Sequence, residues 1–332
     1  MTKQQHITED YAVYNIDFGN VLIVARKTGR LEMPSAHIFE SPHMRAELAR
    51  VGILDASDLA ERRIGGKRLL DPLIAAMGVP VNSDYFPFVD VNAVRSRFLR
   101  ENARDFAALS VSDLPVQAML EGEAASVPGA VTPRETYDTA LLKARLVREA
   151  LLAGSPSILP ASASKDASML LYAAASCPGT RLGRDWEMAL LQVMAPLAGR
   201  LDAQSLAPVW NRLLPARCQA QLTPDQLRLV ALLKAVSARD AARMAAEAEA
   251  LLDGDNAASD ARMQYLVGAL LLGKIALGQS ETAARFIERN GPVFGKLARH
   301  SLQLRWLQAI ALDRSQKSRR TGLPGASGDR RQ

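Results

Sequence analysis

The hydrophobic pattern changes character along the chain. Residues 11–25, YAVYNIDFGNVLIVA, open with side chains that alternate between two faces: Val13, Asn15 and Asp17 on one, Tyr14, Ile16 and Phe18 on the other. That period of two predicts a half-buried strand. Gly19-Asn20 tolerates positive φ and predicts a turn. Val21-Leu22-Ile23-Val24-Ala25 is then an unbroken apolar run, as expected of a strand covered on both faces. A two-stranded hairpin is marginal in water by itself. No later segment reads as a clear partner, so the pattern predicts a sheet completed by strands before residue 1 or in another chain.

From residue 42 onward the period becomes helical. Over residues 42–78, Leu48, Val51, Leu54, Leu59, Ile64, Leu69, Leu70, Leu73 and Ile74 recur at turn spacing, and Gly65-Gly66 divides the run into pieces. Residues 93–109 predict another helix, whose Arg95, Arg97, Arg100 and Arg104 are balanced by Glu101 and Asp105 on a solvated face. The Gly/Ala/Pro-rich residues 123–133 read as a linker between a first part, 1–122, and a helical part, 134–313. Thr132-Pro133-Arg134-Glu135 and Thr223-Pro224-Asp225-Gln226 are both capping boxes with proline at the first helical position. The second starts a helix over 227–236, followed by helices over 241–252, 262–277 and 281–289.

Aligning Ala242-Arg243 with Ala284-Arg285 gives an offset of 42, in the range of helical-hairpin repeats. Leu270, Gly278 and Ala283 fall where a tetratricopeptide repeat places them, although Leu271 stands where that repeat has a small residue. The segment therefore resembles tetratricopeptide-like hairpins, with a plain helical bundle as the alternative.

Composition agrees with a mainly helical protein: 48% of the residues are hydrophobic but only 5% aromatic, a balance of Ala and Leu over β-formers. The charge of +6 suggests nucleic acid until it is located. Six basic residues (Arg314, Lys317, Arg319, Arg320, Arg330, Arg331) and one acid, Asp329, put +5 in residues 314–332 and leave +1 for everything before. No basic face is implied, and no nucleic-acid partner is expected. Residues 314–332 read as a disordered basic tail. No apolar run reaches the ~18 residues of a membrane span, and no secretory signal is expected from residues 1–6, which lack an apolar stretch. The expected compartment is the cytoplasm, or the cytoplasmic face of a membrane if the chain belongs to a longer protein.

Candidate chemistry is sparse. Gly65-Gly66-Lys67 shows neither a preceding strand nor the spacing of a phosphate-binding loop. His6, His37, His43 and His300 have no ligand spacing, and no metal is expected. Cys177 and Cys218 form neither a metal motif nor a disulfide framework and read as small hydrophobes. One loop stands out. Residues 78–90, GVPVNSDYFPFVD, are bounded by prolines and dense in hydrogen-bonding side chains.

The hairpin and the Asn82-Ser83-Asp84-Tyr85-Phe86-Pro87 stretch together resemble the last strands and substrate-side loop of the spermidine synthase family. That resemblance implies an S-adenosylmethionine-methyltransferase-like α/β fold, aminopropyl transfer, and decarboxylated S-adenosylmethionine as the cofactor of an intact member. It covers about residues 11–122. The family's loop has Thr where this chain has Ser83 and a second Asp where it has Tyr85. By the same resemblance, Asn82 and Ser83 would hydrogen-bond an amine substrate, Asp84 would balance its charge, and Tyr85 or Phe86 would wall an alkyl chain; otherwise Asn82 and Asp84 satisfy their own backbone. The nucleotide-binding glycines and the acid/base aspartate of the family are not in this sequence, so no catalytic residue is expected here and no cofactor site.

The expected fold is mainly α: a short N-terminal hairpin left from an α/β methyltransferase-like domain, then helices and helical-hairpin repeats. The expected function is that of the C-terminal portion of a spermidine synthase-like protein, inactive alone. The alternative is a helical-repeat scaffold with no catalytic role. Expected partners are a protein held by the helical half, and a separate N-terminal domain or a second copy of the chain.

Overall fold

The structure, a computed structural model, describes residues 8–16, 20–32, 35–51, 53–78, 92, 95, 108–122, 140–155, 161–177, 183–254 and 259–321. It is mainly helical, with one small antiparallel sheet near the N-terminus. Strand β1 (Asp10–Asn15) pairs with β2 (Val21–Arg26) in the register Asp10↔Arg26 to Asn15↔Val21. Helices α1 (Pro42–Arg50) and α2 (Ala56–Glu61) follow. The next element departs from the helical expectation for 42–78. Arg63–Gly66 is a strand, β3, pairing with β1 through Ala12↔Gly66, Val13↔Gly65 and Tyr14↔Arg63.

The hairpin therefore has a third strand from this chain, and the sheet order is β2-β1-β3. Two glycines carry no side-chain period, which is why this strand could not be read. A Cβ at Gly66 would stand 2.7 Å from Arg63 Nη2 and 2.9 Å from Glu121 Oε1, so the ends of these two side chains would have to shift.

Helix α3 (Lys67–Met77) leaves β3 directly and ends at Gly78, whose φ of +63° closes it in the left-handed conformation. Leu69, Leu70 and Leu73 on its inner face are buried with Val13 and Ile64 of the sheet. Short α4 (Val116–Glu121) precedes the helical body: α5 (Ala140–Ala153), α6 (Ala161–Ser176), α7 (Gly183–Arg200), α8 (Ala203–Leu213) and α9 (Ala216–Gln219).

The remaining helices are α10 (Pro224–Ala238), α11 (Ala241–Gly254), α12 (Asp260–Ala276), α13 (Ser280–Arg289), α14 (Gly291–Arg299) and α15 (Leu302–Thr321). The capping box at Thr223 is formed as the sequence predicts. Its hydroxyl accepts from Gln226 N at 3.3 Å, and Gln226 Oε1 accepts from Thr223 N at 3.0 Å. The box at Thr132 lies outside the described residues.

Helices α11 and α12 pack closely because Gly273 leaves room: a Cβ there would sit 2.8 Å from Ala241 O. Helix α15 then crosses back to α3, where the buried Trp306 Nε1 donates to Leu69 O at 2.7 Å. One core consequently runs from Val13 of the sheet to Ala311 of the last helix.

Two further expectations are corrected. Residues 314–321 are helical rather than part of a disordered tail: Ser315 is buried, Lys317 pairs with Asp313 at 2.7 Å, and Arg319 pairs with Glu281 at 3.3 Å. Cations also suit the C-terminal end of a helix dipole. Cys177 and Cys218, read as separate hydrophobes, are joined in a disulfide across 41 residues of sequence. The intervening helices fold back to bring the two residues together, which spacing alone does not reveal.

Candidate functional site

Asn82, Ser83, Asp84 and Tyr85, the residues the sequence singles out, lie outside the described residues, as does the rest of the 79–90 loop. The described structure offers three other features.

The first is a cavity of about 1290 Å³ between the sheet and the helical body, lined by α2, the β3–α3 junction, α4, the C-terminal end of α7, Arg239 and Trp306. Its wall is charged, and several of the charges serve the fold. Glu121 reaches from α4 to the start of α3, accepting from Gly66 N at 3.2 Å and pairing with Arg63. A carboxylate there satisfies an otherwise uncapped N-terminus. Gln117 Nε2 donates to the carbonyls of Arg63 and Ile64.

Lys67 Nζ donates to Thr8 O at 3.0 Å. Arg200 lies 3.5 Å from Glu61 and 3.8 Å from Asp113. Arg239 caps the end of α7, donating to Ala198 O at 2.7 Å and Gly199 O at 2.9 Å; burial pushes its pKa down to about 10. Beside the cavity, Tyr11 OH donates to Asp71 Oδ1 at 2.6 Å, and burial together with that carboxylate holds the phenol well above its ordinary range. These contacts tie strands to helices. Among the described residues no cluster of three or more His, Cys, Asp or Glu side chains could hold a metal ion.

The second feature is a cleft of about 300 Å³ in the helical body. Its floor is apolar, with Val267, Leu270, Phe286 and Phe294, and its rim carries Asp253, Lys274 and Arg289.

The third is strand β2. Its partner β1 is covered throughout its middle: Ala12, Val13 and Tyr14 are at most 6% exposed. On β2, Leu22 is 49%, Ile23 62% and Val24 37% exposed. Successive strand residues point to opposite faces, so this strand is apolar on both faces and covered on neither. The sequence reads it as buried on both sides, and the described chain supplies no such cover.

Beside it, the buried Arg62 guanidinium donates to Ile16 O at 3.1 Å and to Val51 O at 2.7 Å. It thereby holds together two more exposed apolar residues, Ile16 and Val51, 43% and 58% exposed. Sequence reasoning passed over Arg62; its place directly before Arg63-Ile64-Gly65-Gly66 becomes a signal only once that stretch is known to be a strand. Compared with known proteins, the chain matches no family model, no curated protein and no solved structure. Among the described residues no helix is long and apolar enough to cross a membrane.

Proposed function

We propose that this chain is the C-terminal portion of a spermidine synthase-like protein, with no aminopropyl transfer of its own. The nucleotide-binding and acid/base residues act from outside this sequence, and decarboxylated S-adenosylmethionine is bound there. The observation that carries the reading is strand β2, whose apolar side chains face solvent on both sides of a sheet that has three strands among the described residues. Such a strand suits the interior of a larger α/β sheet. The hairpin that bears it is the segment that resembles the family, and the charged groups described around the cavity are engaged in the fold.

The test is coexpression of the full chain with the polypeptide encoded immediately upstream of it. A complex that binds decarboxylated S-adenosylmethionine, with no binding or turnover by the chain alone, is the expected result. Turnover of putrescine by the chain alone, or the absence of any complex, refutes the proposal.

A second reading, a helical-repeat scaffold, is favoured by the cleft between α11, α12, α13 and α14, which pairs apolar side chains such as Val267 and Phe286 with charged ones such as Asp253 and Arg289. A partner peptide that loses binding on Phe286→Asp, with no complex formed at β2, would replace the first reading with this one.

A further inference from the structure

Strand β2 does not stand alone on its side of the molecule. Ile16 follows β1 and its N–H donates to Asn20 O at 3.0 Å, placing it beside the start of β2. Arg62 ties the Ile16 carbonyl to that of Val51, at the end of α1. Leu54, 38% exposed, lies three residues beyond Val51 and is fixed by its N–H to Asp58 at 2.9 Å. Helix α1 itself buries no residue. An apolar surface therefore runs from Leu22 and Val24 through Ile16 to Val51 and Leu54, and Ile23 is exposed on the opposite face of the strand. Arg62, 5% exposed, acts as its internal brace. The far end of the strand carries two exposed cations, Arg26 and Lys27, with Asp10 paired opposite Arg26 and Glu9 beside them.

We infer that this surface docks an α/β domain whose own edge strand adds to β2, whose helices cover Leu22 and Val24 on one face and Ile23 on the other, and whose carboxylates meet Arg26 and Lys27. The inference rests on the proposed function and names the partner's structural class and the site of its attachment.

Three observations select this occupant. A six-residue edge is about 20 Å long and a sheet layer about 10 Å thick, so strand-to-strand contact alone falls well short of the roughly 800 Å² per partner of a stable interface. The occupant must reach past the edge, over the faces and onto the Val51 shoulder. A second copy pairing β2 with β2 would extend the sheet and leave apolar side chains on both its faces in water. A single peptide strand would do the same. Only a layered partner covers both faces together. Charge bears only on the partner's rim: Arg26 and Lys27 border the apolar surface and favour acids opposite them, beside the chain's own Glu9 and Asp10.

The experiment uses the complex of full chain and upstream-encoded polypeptide, compared with the chain alone by hydrogen–deuterium exchange and by sedimentation. The expected result is slowed exchange in residues 20–27 on complex formation, with 260–299 unchanged. Ile23→Lys and, separately, Val24→Lys weaken association at least 100-fold. Both positions are exposed in the isolated chain, so its circular dichroism is unaltered. Val293→Lys, on an exposed residue of the helical body, leaves association unchanged. Reversing Arg26 and Lys27 to Glu weakens association about tenfold at low salt and less at high salt.

A complex that survives Ile23→Lys and Val24→Lys with wild-type affinity overturns the docking surface and leaves the proposed function standing. Failure of the wild-type chain to form a complex overturns both. Self-association of the chain alone, abolished by Ile23→Lys, overturns the layered partner in favour of a second copy.

Discussion

The disulfide gives the sharpest test of the helical body. Cys177 lies just past the end of α6 with φ of +59°, and Cys218, fully buried, sits in the one-turn helix α9. Joining them closes a loop of 41 residues. In the chain-entropy account, cross-linking such a loop removes about 13 cal/mol/K from the unfolded ensemble, or about 4 kcal/mol at 25 °C. Breaking the bond by Cys177→Ala, with Cys218→Ala added so that no thiol stays buried, should cost that amount less any relief of the left-handed backbone at residue 177.

An unfolding entropy of ~2.1 cal/mol/K per residue turns this into a fall in Tm of about 6 °C for 332 residues unfolding together. The assay is urea unfolding followed by circular dichroism, run on the oxidised protein, on the same protein with a phosphine reductant, and on the double variant. The reduced protein and the double variant should agree, and both should lie below the oxidised protein. Thiol titration under non-reducing denaturation should find no free thiol before reduction and two after it. Equal urea midpoints for oxidised and reduced protein would refute the reasoning; so would two free thiols in protein purified under oxidising conditions. Because disulfides persist in oxidising compartments and are rare in the cytosol, the thiol count of chain isolated from its own cell bears directly on the cytoplasmic expectation.

Three other perturbations follow from named contacts. Gly199→Ala puts a Cβ 2.5 Å from Asp113 O, a backbone atom, and should cost about 1–3 kcal/mol in urea unfolding. Trp306→Phe removes the bond to Leu69 O and should cost about 1–2 kcal/mol, with amide exchange in α3 accelerating more than exchange in α11. Tyr11→Phe loses the bond to Asp71 and should destabilise at neutral pH. Its pH dependence has a definite sign: the unfolded chain releases the phenol proton near pH 10.0, whereas the folded chain, with its raised pKa, retains it. The stability that wild type holds over the variant is therefore present below pH 10 and shrinks as pH rises above it; a difference that grows above pH 10 would refute the assignment.

Legibility followed the physics of each element. The Thr223 box could be read because capping uses side chains at fixed spacing, and the helical hairpins of α10 to α13 because a 3.6-residue period survives over several turns. Strand β3 could not, since Gly65 and Gly66 show no alternation and β3 exists only through its pairing with β1. The Cys177–Cys218 pairing was hidden for a related reason: a covalent contact between residues 41 apart depends on how the helices between them stack. The candidate loop at Asn82 to Tyr85 rests on resemblance alone, since it lies outside the described residues. At β2 the sequence was informative in a different way. An apolar run reports what a strand requires, and the structure shows that the described chain pairs this strand along one edge and covers neither of its faces.

That lack of cover raises the question of how a sheet with an open edge holds its shape. Strand β3 is four residues long and β2 is exposed, so the sheet's own pairing is marginal. What steadies it is the helical body. Leu69, Leu70 and Leu73 of α3 back the sheet, and α15, from the other end of the chain, clamps α3 through Trp306. Glu121 and Gln117 of α4 fasten β3 from the other direction. The side of the sheet served by the chain itself is thus a finished interior, while β2, Ile16 and Val51 remain a finished but uncovered surface. A partner meeting that surface finds it already ordered, so docking need not include the entropy of folding the hairpin. Heating the isolated chain should accordingly melt sheet and helices in one transition, read together by near- and far-ultraviolet circular dichroism. Separate loss of the sheet at lower temperature would show that the hairpin is ordered only when its partner is present.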